Sequence, residues 1–399
     1  MNNLGQMIRI QTTIMRGGTS KGIILRKYDL PSDDEERDEL ILRIFGSPDN
    51  NQIDGLGGGT SLTSKLAIVG PPSRIEAHID YTFGQVSLEN KMIDYHVTCG
   101  NIVTAVGLYA AEEGFVALTE PITEVRIFNT NSSKITVVEI PVEEGKIVYD
   151  GDFSIDGVPG SSSKIMLNFL DTGGIFTGKT LPTGNASDTI TLKDGRAYEV
   201  SIVDCSNLVV FVKAEDLGVQ CTELQAEMDT NAELNNTLEQ IRVEAGIKIG
   251  FLQPGQEVKP TTHALPKIAL VASPKTYITS SNTLVDHSEI DILSRYISMG
   301  RLHKAYAVSG AIALAVACKI PGSIPFSAVR ASGDGLSIGH PSGTLYVEAD
   351  VSKIGADWSV KRAACGRTAR RLMDGYSYVP ASFLSFKQPY PWLTLPDMS

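Results

Sequence analysis

The chain has 399 residues, 42% of them apolar and 20% charged, at a mean hydropathy near zero. That is ordinary globular composition, and the length predicts two domains. A formal net charge of −11 and a pI near 5.1 exclude a global basic face for nucleic acid, but not an anionic small substrate, because a site makes its own local field.

No run approaches the roughly 18 apolar residues of a membrane span, and the start "MNNLGQMIRIQTTIMRGGTSKG" lacks the pattern of a secretory signal. Cys99, Cys205, Cys221, Cys318 and Cys365 are an odd, scattered set without Cys-x-x-Cys. They fit a reducing cytoplasm and neither a disulfide framework nor a structural zinc site. The scattered histidines give no His-rich metal pattern either.

In chain order, "MIRIQTTIM" (7–15) alternates like a strand. "DEERDELILRIFG" (34–46) spaces apolar residues for a helix, with acids in its first turn and Gly46 past its end. "KLAIVGP" (65–71) is a short apolar strand stopped by Gly-Pro, and "IEAHIDYTFGQVSL" (75–88) is strand-rich. "NIVTAVGLYAAEEG" (101–114) reads as a buried helix ending at Gly114. "EVRIFNTNSSKITVVEIPV" (124–142) predicts a hairpin turning at Asn-Ser-Ser.

"TGGIFTGKTLPTGNASDT" (172–189), rich in Gly, Thr and Pro, is the expected linker. It sets domains of 1–185 and 186–399, with the last segment free to pack back on the first. Beyond it, "AYEVSIVDCSNLVVFVKAEDLG" (197–218) is strand-rich and "CTELQAEMDTNAELNNTLEQIRVEAGIKIG" (221–250) is helical. "KIALVAS" (267–273) is a buried strand, "SGAIALAVACKIPG" (309–322) an apolar helix and "GTLYVEADV" (343–351) a strand. "TCGNIVTAV" (98–106) and "VSGAIALAV" (308–316) both set a small polar residue and Gly before an apolar helix, which suggests duplicated domains with one central helix each.

Cys99 precedes Gly100, Asn101 and the helix. Free amides and the dipole at a helix start favour a thiolate there, yet an unpaired Cys also packs readily as a small hydrophobe. Both readings stand on these residues alone. "MRGGTSKG" (15–22) and "DGLGGGTSLTSK" (54–65) each combine glycines, hydroxyls and a lysine. Glycine lets backbone amides approach an anion, and the other groups donate hydrogen bonds or charge. Neither loop follows the P-loop pattern; each is a flexible turn or part of a carboxylate cleft, to which "HPSGT" (340–344) adds a third loop. Lys65 ends the second loop where a strand begins, as an acid/base group or as a surface lysine.

At "MRGGTSKG", "GLGGGTSLTSKLAIVGP", "CGNI", "LPTGN" (181–185), "GHPSGTL" (339–345) and "RTARRLMDGYSYVP" (367–380), the chain resembles the PrpF family over nearly its full length. The resemblance implies an α+β fold similar to diaminopimelate epimerase. It has two related domains, each a curled, barrel-like mixed β-sheet around a central helix, with the active site in the cleft between them. It also implies isomerisation of unsaturated di- or tricarboxylates without a cofactor, as in 2-methylaconitate cis-trans isomerase, 3-methylitaconate Δ-isomerase and 4-oxalomesaconate tautomerase. "IMRGGTSKGIIL", "RIFGSPDNNQIDGLGGG" and "LTSKLAIVGP" are most similar to the 3-methylitaconate enzymes.

The family's functional lysine, in Thr-Ser-Lys, falls on Lys65, and its cysteine, in Cys-Gly-Asn, on Cys99. The resemblance thus favours the thiolate reading. Thr19, Ser20, Gly59, Thr60, Ser61, Gly100, Asn101, Ser309, Gly310 and Ser342 are the candidate substrate ligands, with Lys21 and His340 as further sources of charge. The second half offers Ser309 where epimerase relatives carry a second cysteine, which disfavours a racemase. An accessory protein that stabilises a partner enzyme is the non-enzymatic alternative. A small anionic substrate and a homo-oligomer, dimer or tetramer, are expected. No metal, nucleic acid or membrane is.

Overall fold

The computed structural model describes residues 7–96, 99–259, 265–298, 300–330, 333, 335–355 and 357–381. The chain divides into two compact units, Met1–Leu167 with Arg367–Ser399, and Asn168–Gly366. The division therefore precedes the expected 185/186. No helix among the described residues is long and apolar enough to cross a membrane.

In the first unit, β1 (Met7–Gly17) turns at Gly17↔Ser20 into the antiparallel β2 (Ser20–Arg26). Helix α1 (Asp34–Phe45) follows. Its start is fixed by the Asp33 side chain, which accepts from the amides of Glu35 and Glu36 at 3.0 and 3.1 Å, and its end by Gly46 at φ 73°. β3 (Lys65–Gly70) runs parallel to β2, and β4 (Ile79–Val86) antiparallel to β3. The two-residue β5 (Ile93–Asp94) pairs with β4, and helix α2 (Gly100–Glu112) comes next. β6 (Ile122–Asn129) then lies parallel to β4 and forms the expected hairpin with β7 (Lys134–Glu143). The C-terminal strand Ala369–Pro380 pairs with β1 from Met7↔Pro380 to Gly17↔Ala369, which is why it belongs to this unit and not to the second.

The sheet has two faces, because successive strand residues point to opposite sides. Ile23, Leu25, Leu66 and Ile68 share one hydrophobic cluster with Leu40, Ile41, Ile44 and Phe45 of α1. The alternate residues face α2, which is buried from Ile102 to Ala111 and packs against β1, β2, β3, β4, β6, β7 and the C-terminal strand. A helix that touches so many strands of one sheet is a helix the sheet curls around.

The second unit follows the same order of pairings. From the C-terminal strand through β1, β2, β3, β4, β6 and β7, the first unit reads antiparallel, antiparallel, parallel, antiparallel, parallel, antiparallel. The strands Asp188–Thr191, Ala197–Cys205, Asn207–Lys213, Lys267–Ala272, Ile292–Ser298, Gly335–His340 and Gly343–Ile354 repeat that series. Helices α3 (Gln225–Thr230) and α4 (Ala232–Lys248) stand where α1 does, and α5 (Val308–Cys318) stands where α2 does. The helix α5 is buried from Gly310 to Cys318, so each unit has its apolar central helix, and the fold is the expected α+β arrangement.

Two expectations change. The helical run 221–250 is two helices, since Asn231 ends α3 and its side chain accepts from the Leu234 amide at 3.0 Å to start α4. The stretch 172–189 is no free linker. Asp204 Oδ2 accepts from the amides of Phe176 and Thr177 at 2.8 and 2.6 Å and from the Thr177 hydroxyl at 2.8 Å. Residues Gly173 to Thr180 also fit the letters G-x-x-x-x-G-K-[ST]. A phosphate cradle needs those amides free and a helix after the loop. Here the protein's own carboxylate takes them, and the next element is the strand Asp188–Thr191.

The central helix is packed to contact at Gly107, where an added Cβ would lie 2.5 Å from Val138 Cβ on β7. Alanine is the better helix former by up to about 1 kcal/mol, but overpacking a core costs about 1–3 kcal/mol. Gly107→Ala should therefore lower the denaturant midpoint, and a stabilised variant would show that β7 yields at this contact.

Candidate active site

Cys99 is the N-cap of α2, with extended backbone (φ −142°, ψ 105°), and its side chain makes no capping bond. Its carbonyl accepts the Val103 amide at 3.1 Å. Helix geometry leaves the amides before Val103 without an intrahelical acceptor, and no acid occupies the first turn. The helix start is thus open to an anion.

Glycines bring this end close to β1 and β2. A Cβ on Gly17 would lie 2.0 Å from the Asn101 carbonyl oxygen. At Gly18, whose φ is +51°, it would lie 2.1 Å from Asn101 Oδ1, and at Gly22 2.8 Å from Ile102 Cδ1. Asn101 is then held on both sides of its amide. Its Nδ2 donates to Thr19 Oγ1 at 3.0 Å and Ser20 Oγ at 3.2 Å, and Arg367 Nε donates to its Oδ1 at 3.2 Å.

Lys65 opens β3 in register with Gly22 on one side and Gln85 on the other. Its Nζ donates to Gln85 Oε1 at 2.8 Å and lies 5.4 Å from the Phe83 ring centre. Gln85 Nε2 donates to the carbonyls of Ser64 at 3.0 Å and Ser61 at 3.2 Å. The loop behind is braced by the buried Gln52, whose Oε1 accepts the Gly59 amide at 3.0 Å and Ser64 Oγ at 2.7 Å. The Thr60 and Thr63 hydroxyls bond each other at 2.9 Å. The Lys21 amide donates to the Leu62 carbonyl at 3.0 Å, and its Nζ would lie 3.3 Å from a Cβ on Gly58.

Among the described residues, Arg16, Lys21 and Lys65 are ion-paired with no acidic side chain. Arg16 Nη1 donates to oxygens of Gly18 and Thr368 instead. Burial, and then the nearby Arg370, lower its pKa from the usual value. Tyr81, on the same face of β4 as Gln85, has a fully buried hydroxyl with no hydrogen-bond partner among the described residues. Burial raises its pKa well above the ordinary value, and the nearness of Cys99 raises it further.

In the first unit Thr19 and Ser20 bond Asn101 at the start of α2, beside Cys99 and Gly100, while Gly59, Thr60 and Ser61 lie in the loop that leads into Lys65 and is tied to Lys21. Several also have hydrogen-bond partners within the unit. Ser20 is buried and holds Asn101, Thr60 is engaged by Thr63, and Ser61 offers its carbonyl to Gln85. In the second unit, Ser309 Oγ accepts from Asn207 Nδ2 at 3.0 Å, and the same nitrogen donates to Tyr296 Oη at 3.1 Å. Gly310 is a packing glycine, since its Cβ would lie 2.5 Å from the Tyr296 ring. Ser342 Oγ donates to the Lys304 carbonyl. His340 is buried, and its Nδ1 accepts the Ser342 amide at 3.2 Å.

Gln85, Arg16, Arg367, Asn207 and Tyr81 were not legible from local sequence, because strand register or tertiary packing brings each to its place.

The model of the PrpF protein family matches residues 7–380. The chain belongs to the PrpF family. It is 44% identical over 379 residues to 3-methylitaconate isomerase of Eubacterium barkeri, covering 94% of this chain and 98% of that one. It is 36% identical over 387 residues to 2-methyl-aconitate isomerase of Shewanella oneidensis, covering 94% and 97%. The crystal structure of methylitaconate-delta-isomerase superposes with a TM-score of 0.86 at 43% identity, covering 96% of this chain and 99% of that one. The family expected from the motifs is the family found.

Cys99 also differs from the other thiols in access. It is half-buried, whereas Cys205, Cys221, Cys318 and Cys365 are buried. Burial pushes Cys205 and Cys221 up to about 12, and Cys318 up as well. A thiol titrating near 12 is only about 10⁻⁴ ionised at pH 8, and the thiolate is the nucleophile. Iodoacetamide on the native protein at pH 8 should therefore modify Cys99 first. Peptide mass spectrometry showing an earlier adduct on any of the other four would contradict this placement.

Proposed function

We propose that the protein is a cofactor-independent isomerase that relocates the C=C bond of an unsaturated dicarboxylate, with 3-methylitaconate as substrate and Lys65 and Cys99 as the proton-transfer pair. The observation that carries the reading is a lysine amine and a helix-capping thiol in a unit where, among the described residues, Arg16, Lys21 and Lys65 form no ion pair with a carboxylate. In a chain of net charge −11, such a corner is a place for the negative charge of a substrate.

The reaction is a 1,3-proton shift. A base removes the proton from the carbon that is allylic to the double bond and bonded to a carboxylate. The electron pair spreads over the allyl unit and that carboxylate. Acid returns one proton at the far carbon, the double bond moves, and no electrons leave the molecule. The barrier is the weak acidity of carbon, so preorganised donors at the developing charge matter most. The open amides at the start of α2 and the side chains of Lys21 and Arg16 are candidates for that role. A positioned acid/base group contributes about 10²–10⁴-fold more.

Purified protein incubated with 3-methylitaconate in D₂O should give dimethylmaleate carrying deuterium in its new methyl group, followed by NMR. Lys65→Ala and Cys99→Ala should each lower kcat/KM by about 10²–10⁴-fold with an unchanged circular dichroism spectrum. Near-wild-type turnover in either variant would remove that residue from the pair. Reaction of trans-aconitate, with 3-methylitaconate inert, would move the substrate to a tricarboxylate.

A further inference from the structure

Among the described residues, Lys65 forms no ion pair with a carboxylate. Its Nζ donates to the neutral Oε1 of Gln85 at 2.8 Å. The orientation of that amide is set from behind, because Nε2 donates to the Ser61 and Ser64 carbonyls at 3.2 and 3.0 Å. A flipped amide would turn its oxygen against two carbonyl oxygens and its NH₂ against an ammonium. Gln85 therefore presents an acceptor to Lys65 and ties that acceptor to the loop leading into β3.

The charged and titratable groups on the surrounding elements include Tyr81, on the same face of β4 as Gln85 and electrostatically coupled to Cys99. Asp94 on β5 is in register across Gln85, and its Oδ1 accepts the His96 amide at 2.8 Å. Lys21 stands on β2, and Cys99 caps α2. The second unit repeats the arrangement. Lys267 opens the strand that corresponds to β3, and its Nζ donates to the hydroxyl of Ser298 on the neighbouring strand at 3.1 Å, again a neutral acceptor.

We propose that Gln85 is a positioning residue for the reaction, fixing the Lys65 amine with a neutral acceptor so that the lysine is held in place yet free to pass its proton. This rests on the reading of Lys65 as a proton carrier. A carboxylate would orient the amine as well, but it favours the charged form and holds the proton on it. An apolar side chain would leave the amine unguided.

The test compares Gln85→Glu and Gln85→Leu with the parent enzyme. Two quantities are read: the pH profile of kcat, and the titration of Lys65 itself by competitive acetic anhydride labelling with peptide mass spectrometry. In Gln85→Glu, the Lys65 labelling midpoint should move to higher pH by about one unit or more, and the matching limb of the kcat profile should move with it. In Gln85→Leu, kcat should fall at least about tenfold with no upward move of that limb. An unmoved labelling midpoint in Gln85→Glu, or full activity in Gln85→Leu, would overturn the proposal. A role confined to bracing the loop would lower activity in both variants at every pH and leave the midpoint in place. A midpoint that moves while the kcat limb stays would uphold the Gln85–Lys65 coupling and overturn Lys65 as the proton carrier.

Discussion

The start of α2 can reach β1 and β2 only because Gly17, Gly18 and Gly22 carry no side chains. At Gly17 the atom that a Cβ would strike is the backbone carbonyl of Asn101, 2.0 Å away, so no change of rotamer relieves the clash. Everything at the site follows from that approach. With the helix end seated, Asn101 can bond Ser20 and Thr19, and Cys99 caps a helix that packs on the strand Lys65 opens. Each such hydrogen bond contributes only about 0.5–1.5 kcal/mol net, so they fix orientation more than they hold the fold. The fold is held by the apolar helix, buried along ten successive residues from Ile102 to Ala111.

The second constraint is charge. Arg16 and Lys65 are steadied by carbonyls, a hydroxyl and one amide. Neutral partners orient a cation without cancelling its field, whereas an ion pair would do both. The cost is visible at Arg16, whose charged form is disfavoured by burial and by Arg370. On the reading that these residues bind the substrate, its carboxylates would supply the missing negative charge, an exchange of stability for function.

Local signals in the sequence were reliable where the physics is local. The acids and Gly46 around "DEERDELILRIFG" mark α1 because capping acts within one turn. The hairpin at 124–142 was legible for the same reason, since Asn129 Oδ1 bonds the amides of Asn131 and Ser132 in the turn itself. What escaped depends on distant partners. The loop 172–189 looks like a linker until Asp204, from a strand beyond it, takes its amides. Gln85 is one polar residue in a strand-rich stretch until the register sets it opposite Lys65. His340 Nδ1 accepts the amide of Ser342, a local contact that composition does not reveal.

The two units share a topology but not a chemistry, and the difference is informative. Both place a lysine at the start of the strand that enters the central sheet, Lys65 and Lys267, and both give it a neutral acceptor on the adjacent strand. At the central helix they part. In the first unit Cys99 caps α2, while in the second Ser309 lies inside the first turn of α5 with its hydroxyl engaged by Asn207. A serine hydroxyl is too weak an acid to replace a thiol unless a base activates it, and an amide NH₂ that donates to it is no base. Inversion at one carbon calls for bases on opposite sides, but a 1,3-shift returns the proton along the same allyl unit and does not require them. On the reading that Lys65 and Cys99 pass the proton, one unit carries both titratable groups. Nothing in that chemistry would then require a thiol at the head of α5.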